Sequence, residues 1–169
     1  MGPAQAWVAF GSGSGVPNNQ IPIPVTLHAP TEQVAGVQVD IDFDPSTLIA
    51  ATAGGEPQCA VNPDIHKNGT SFAFQPHGCT PGVNCDRRAT AFVLAFDNLA
   101  PIPDGATLFT CMVTIARTAT PGSYPLCFGA QGSDPSTHAL PLTCTGGAIV
   151  VNEACPGDCN GDHRVTVDG

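Results

Sequence analysis

Basic residues are scarce in this chain. Five Lys and Arg stand against fourteen Asp and Glu, which leaves a net charge of −9. Phosphate backbones are bound through clustered Lys and Arg, so no nucleic-acid partner is expected, and anionic membranes are equally unfavourable. Cations are attracted instead. Charges of either sign make up only 11% of the residues, so the surface must be covered by Thr, Ser, Asn, Gln, Gly and Pro. No apolar run approaches the roughly 20 residues of a membrane-spanning helix, and membrane insertion is not expected. Aromatic side chains are few, with one Trp and one Tyr. A glycan-stacking platform would have to be built on Trp7 or Tyr124. A carbohydrate-binding module, or a non-catalytic appendage of a larger secreted glycan-active enzyme, is therefore the alternative reading.

Catalytic patterns are also missing. Gly11-Ser12-Gly13-Ser14-Gly15 has Gly13 at its centre, so it is no nucleophile elbow, and it fails the dinucleotide fingerprint. It reads as a flexible turn. The histidines, at 28, 66, 77, 138 and 163, share no ligand or catalytic spacing. No nucleophile has an evident base, and the chain is not expected to be an enzyme. A helical period with caps is absent as well.

Cysteine, glycine and proline are plentiful. The eight cysteines are Cys59, Cys79, Cys85, Cys111, Cys127, Cys144, Cys155 and Cys159. None form a Cys-x-x-Cys, which argues against a zinc ribbon or a thioredoxin-like site. An even number at wide spacing implies disulfides in an oxidising compartment, with local pairs such as Cys79–Cys85 or Cys155–Cys159 among the possibilities. The reading is a secreted, extracellular or cell-surface protein. Met1-Gly2-Pro3 has neither the charged nor the apolar region of a signal peptide, so any signal is expected to have been removed. Asn68-Gly69-Thr70 has the form of a glycosylation sequon. Nineteen glycines and seventeen prolines are spread along the chain as turn punctuation.

Between those turns the period is two. Ile21, Ile23, Val25 and Leu27 alternate with Pro22, Pro24 and Thr26. Proline offers no ladder donor, so this strand should lie at an edge or pair on one side only at its prolines. Val37, Val39, Ile41 and Phe43 alternate with Gln38, Asp40 and Asp42, giving one buried and one wet face, and Asp44-Pro45-Ser46 closes the strand with a turn. Asp40, Asp42 and Asp44 share that wet face and read as a solvated surface. Further strands are expected at 7–10, 48–52, 71–74, 89–96, 109–115, 124–128 and 148–151. Segments 54–69 and 129–141 read as long loops. About nine strands and no helix predict an all-β, disulfide-stabilised sandwich.

The pattern changes after Val151. Residues 1–152 form the sandwich domain in this reading, and 153–169 a linker with a partial EF-hand-like loop. Asp158, Asn160 and Asp162 occupy loop positions 1, 3 and 5, where oxygen ligands converge on Ca²⁺. Arg164 supplies the backbone carbonyl of position 7 and Thr166 the hydroxyl of position 9. His163 stands where glycine is usual, and Gly169 where a bidentate carboxylate is wanted at position 12; Asp168 is the nearest substitute. The expected cofactor is Ca²⁺.

Two segments resemble cohesin modules, the receptors of cellulosome scaffolds. One is Ile21-Pro22-Ile23-Pro24-Val25-Thr26-Leu27 followed by Val34 to Leu48, a glycine-containing strand ending in aromatic-Asp-Pro and Leu. The other is Ala91 to Phe96 with Gly105 to Ala116 and Pro121-Gly122-Ser123-Tyr124. Residues 157–168 resemble the first calcium repeat of a dockerin, the cohesin's partner. The resemblance implies a nine-stranded jelly-roll sandwich and a non-catalytic, extracellular role in protein–protein assembly. It also implies binding through one sheet face, here carrying Gln38, Asp40 and Asp42. Many cohesins place an Asn and an Asp early in that strand; the aligned positions are Gly36 and Gln38. The partner expected is a dockerin-like module or another copy of this chain. Cohesin-like and dockerin-like parts on one chain also allow head-to-tail filaments, a neighbour completing the calcium shell.

Overall fold

Alternating burial builds this protein strand by strand. The computed structural model describes residues 6–85, 87–127 and 129–153. Strands β1 (Trp7–Phe10), β2 (Gly13–Gly15), β3 (Gln20–His28), β4 (Gly36–Asp42) and β5 (Thr47–Ile49) open the chain. Then come β6 (Cys59–Val61), β7 (Ser71–Gln75), β8 (Arg88–Val93) and β9 (Thr107–Ile115). The last are β10 (Gly122–Pro125), β11 (Gly129–Ser133), β12 (Ala139–Thr145) and β13 (Ala148–Val151). Among the described residues, the helical structure is a single 3-10 turn at Pro63–Ile65.

All nine expected strands are present, and β2, β6, β11 and β12 join them. Segment 129–141, expected as a loop, forms β11 and the start of β12. Segment 54–69 contains β6 and the 3-10 turn. Gly11–Gly15 is not a flexible turn but carries β2, packed close on β3. A Cβ at Gly13 would overlap Ile21 Cγ2, and one at Gly11 would sit 2.8 Å from Pro24 Cδ. Glycine is needed there for the close approach of two strands.

The main sheet runs β5-β9-β3-β1-β12-β11-β4-β8-β7, with β6 also on β9, and a smaller one runs β10-β13-β2. It curls over β1, which pairs antiparallel with β3 and parallel with β12. The two halves thereby face each other as the layers of an all-β, cohesin-type jelly-roll sandwich. Phe72 of β7 meets Phe109 of β9 edge-on at 5.3 Å between ring centres, joining the two layers.

Inward positions carry the core. Ile23, Val25 and Leu27 of β3 are buried with Phe109, Val113 and Ile115 of β9; Val37, Val39 and Ile41 of β4 are buried with Ala89, Ala91 and Val93 of β8. Each of the buried Val, Ile, Leu and Phe side chains contributes about 1.5–3 kcal/mol relative to exposure. The prolines of β3 sit as expected. Pro22 and Pro24 are paired with Met112 and Thr110 of β9, whereas β1 joins only from Val25 onward. A residue's N–H and C=O leave a strand on the same side. The Pro24 carbonyl accepts from Gly11 N at 2.8 Å, so its missing donor faces away from β9.

Three disulfides lie in the described residues: Cys59–Cys111, Cys79–Cys85 and Cys127–Cys144. Cys79–Cys85 is one of the local pairs the spacing allowed. Cys59 and Cys111 are direct cross-strand partners of β6 and β9. Cys155 and Cys159 lie outside the described residues, as do the calcium-ligand candidates Asp158, Asn160, Asp162, Arg164, Thr166 and Asp168.

Candidate protein-binding face

The half-sheet β11-β4-β8-β7 buries one face against the core and turns the other outward. Strand alternation on β4 puts Gln38, Asp40 and Asp42 on the outward side, as expected. Register then fixes their neighbours. Gln38 lies between Gln131 of β11 and Phe92 of β8, and Phe92 lies opposite Ser71 of β7. Asp40 pairs across to Thr90, and Asp42 to Arg88.

The two carboxylates are committed to their neighbours. Arg88 Nε donates to Asp42 Oδ1 at 2.6 Å and Arg88 Nη2 to Asp42 Oδ2 at 3.1 Å. This bidentate fork holds the guanidinium above its ordinary pKa. Thr90 Oγ1 donates to Asp40 Oδ1 at 2.8 Å. Asp44, read as part of the same face, sits beyond the strand end, and its Oδ1 instead accepts from Ser46 N in the Asp-Pro turn. Among the described residues no three His, Cys, Asp or Glu side chains cluster as metal ligands. Asp40 and Asp42 are thus surface charges held by hydrogen bonds within the protein.

Apolar surface completes the face. Phe92 is 38% exposed at its middle. Beside it, Gly36, Gln38, Leu94, Gln131 and Ser133 line a hollow of about 200 Å³. Gly36 forms part of its floor, where a Cβ would lie 3.0 Å from Ser133 Oγ. Past the end of β8, Phe96 is 91% exposed. The loop that carries it is clamped from below. Lys67, only 2% exposed, donates from Nζ to Asn98 O at 2.7 Å and Ala100 O at 2.9 Å. Burial pushes its pKa down. Asn98 Nδ2 also donates to His66 O.

Phe92, Arg88 and Lys67 were not singled out by sequence reasoning. Segment 89–96 reads as apolar on both faces, and only the register with β4 shows that Phe92 looks outward. Other groups weighed from sequence lie on other elements. Trp7 stacks on His28 at 5.0 Å between ring centres, and the Tyr124 hydroxyl donates to Thr120 O at 2.6 Å. The His138–Asp134 contact, 3.2 Å, belongs to a turn in which Asp134 Oδ1 accepts from Ser136 N and His138 N. Asp134 is held below the usual carboxylate range, first by the backbone hydrogen bond from His138.

No profile of a known protein family matches the sequence, and no curated protein matches it. The fold does have solved counterparts, and they are cohesin modules. The sixth cohesin of scaffoldin B from Acetivibrio cellulolyticus, solved in complex with a Cel5 dockerin mutant, superposes with a TM-score of 0.67 at 11% identity. That match covers 88% of this chain and 100% of the other. The type I cohesin–dockerin complex Coh-OlpA–Doc918 from Clostridium thermocellum gives 0.66 at 16% identity, over 88% and 99% of the two chains. A non-cellulosomal cohesin from the archaeon Archaeoglobus fulgidus gives 0.60 at 14%, over 89% and 93%. The described sandwich thus has the cohesin fold. The first two of these neighbours were solved bound to dockerins.

Proposed function

We propose that this chain is a secreted protein–protein interaction module whose partner is a dockerin-type module, bound on the outward face of β11-β4-β8-β7. The observation that carries the reading is the cohesin fold, joined to an outward sheet face that exposes the aromatic ring of Phe92. Phe92 supplies desolvation energy, as central aromatics do in protein interfaces. The Asp42–Arg88 fork and the Asp40–Thr90 bond give a pre-organised polar rim. Gly36 and Gln38 stand in place of the Asn and Asp of many cohesins. The hollow at Gly36 then receives a partner side chain where those modules offer hydrogen bonds. Oxidised cysteines and the absence of a membrane-spanning helix among the described residues fit an extracellular location. Binding of immobilised chain to a panel of dockerin modules tests the reading. Phe92→Asp should reduce the strongest response at least tenfold; an unchanged response rejects this face.

The tail is assigned Ca²⁺, held by Asp158, Asn160, Asp162, the Arg164 carbonyl and Thr166, with Asp168 or a neighbouring copy closing the shell. Support comes from the ligand spacing alone. Calorimetric titration with calcium, beside light scattering with calcium and then chelator, checks both binding and head-to-tail assembly. Heat without a rise in scattering keeps the ion and rejects the filament; no heat at millimolar calcium rejects both. The glycan alternative has little support, since Trp7 is covered on one side by His28 and the Tyr124 hydroxyl is tied to Thr120.

A further inference from the structure

Sheet edges offer unpaired backbone donors and acceptors, and secreted β-proteins usually shield them with charge, proline or brevity. The edges here are unequal. The outer strands on β9 are β5 and β6, three residues each. In the small sheet, β10 contains Gly122 and Pro125, and β2 has three residues. Strand β7 differs: Ser71-Phe72-Ala73-Phe74-Gln75 is five residues long, ends the sheet, and contains neither charge nor proline.

Its surroundings extend the contrast. The chain carries a net charge of −9, yet residues 68–85 contain no Asp, Glu, Lys or Arg. Two copies repel each other least where neither bears charge. Alternation puts Ser71, Ala73 and Gln75 on the outward side, with Ser71 and Ala73 exposed, and Phe72 and Phe74 toward the core.

The strand is also self-complementary. Antiparallel pairing of two copies about a two-fold axis at Ala73 places Ala73 opposite Ala73, Ser71 opposite Gln75 and Phe72 opposite Phe74. Small uncharged groups meet on the outer side, and aromatic pairs form twice on the inner side. A contact of this kind is isologous and closes on itself.

We infer that β7 is a homodimerisation edge: a second copy of this chain adds its own β7, making one sheet continuous across both molecules. The two outward faces then lie side by side on the same surface. A dimer presents two binding faces and gains avidity for a partner that carries two modules. The inference does not need the partner proposed above: the dimer forms through the backbone edge of β7, whereas the binding face is centred on side chains of β4 and β8.

Sedimentation velocity on the full chain, from micromolar to near-millimolar concentration, tests it. The wild type is expected to shift from monomer to dimer with concentration. Ala73→Asp puts two like charges face to face at the axis and should abolish the dimer. Gln75→Lys, away from the axis, should weaken it about tenfold. Phe92→Asp leaves the dimer intact, which separates the edge from the binding face. Ala73 and Gln75 lie outside the core, and far-ultraviolet circular dichroism confirms that both variants are folded. A wild type that stays monomeric at the highest concentration, or a dimer indifferent to both β7 substitutions, overturns the inference.

Discussion

Lys67 illustrates how much one side chain can organise. A buried ammonium without a carboxylate partner is costly unless its donors are used. Here two of them close the loop that presents Phe96, by bonding to the Asn98 and Ala100 carbonyls. Lys67→Met keeps most of the stem but leaves those carbonyls without the ammonium. The expected loss is about 1–3 kcal/mol, read as a lower urea midpoint with an unchanged slope. Asp134 gives a pH prediction at the same scale. Its folded pKa is depressed, so its support for the 134–138 turn is present above the unfolded value and disappears as pH falls through the folded one. Lower protection of the Ser136 and His138 amides at acidic pH, with exchange normalised to the intrinsic rate at each pH, is the expected sign; protection indifferent to acid contradicts it. Such residues are poorly legible in sequence. Lys67 is a lone cation among polar neighbours there, and nothing local says that residues some thirty positions later will cap it. Asp42 and Arg88, likewise, meet only through the β4–β8 register.

Elements were legible where burial is one-sided. Val37 to Phe43 and Phe109 to Ile115 alternate cleanly because each packs one face on the core and leaves the other wet. Strand β11 was hidden for the opposite reason. Gly129, Ala130 and Gly132 give it almost no apolar signal, and its pairing with β4 and β12 holds it in place. Strand β2 was hidden by the same glycines that let it approach β3. Disulfides act at this scale too. Cys59–Cys111 clamps β6 to β9 across a separation of 52 residues, whereas Cys79–Cys85 closes only 6. In the chain-entropy account the longer loop contributes more, about 4 kcal/mol. Replacing Cys59 and Cys111 together by Ala should lower the guanidinium midpoint well beyond the loss caused by replacing Cys79 and Cys85. Equal losses would mean that loop closure is not what these bonds supply.

At the scale of the whole molecule, a sandwich with little charge places its features in separate regions. Apolar interiors join the layers, and the outward face of β4 and β8 collects a charged fork, a threonine–aspartate bond and an exposed Phe92. The free edge of β7 is left uncharged. Sequence resemblance pointed to the fold and to Gln38, Asp40 and Asp42. It could not point to Phe92, whose role depends on which way β8 faces once paired. If the face is the binding surface, partner affinity should follow Phe92 and the hollow at Gly36 more than Asp40 or Asp42, whose carboxylates are already engaged within the protein. Gly36→Asn, which fills part of that hollow, should weaken a partner that seats a side chain there.

The most direct test is amide chemical-shift mapping of the labelled chain during titration with the strongest-binding dockerin module of a panel. The account predicts perturbations concentrated on residues 36–42 of β4, 88–94 of β8 and 131–133 of β11, with the strands bearing Trp7 and Tyr124 silent. Perturbations centred on Trp7 or Tyr124, or no response to any dockerin at millimolar concentration, would contradict it.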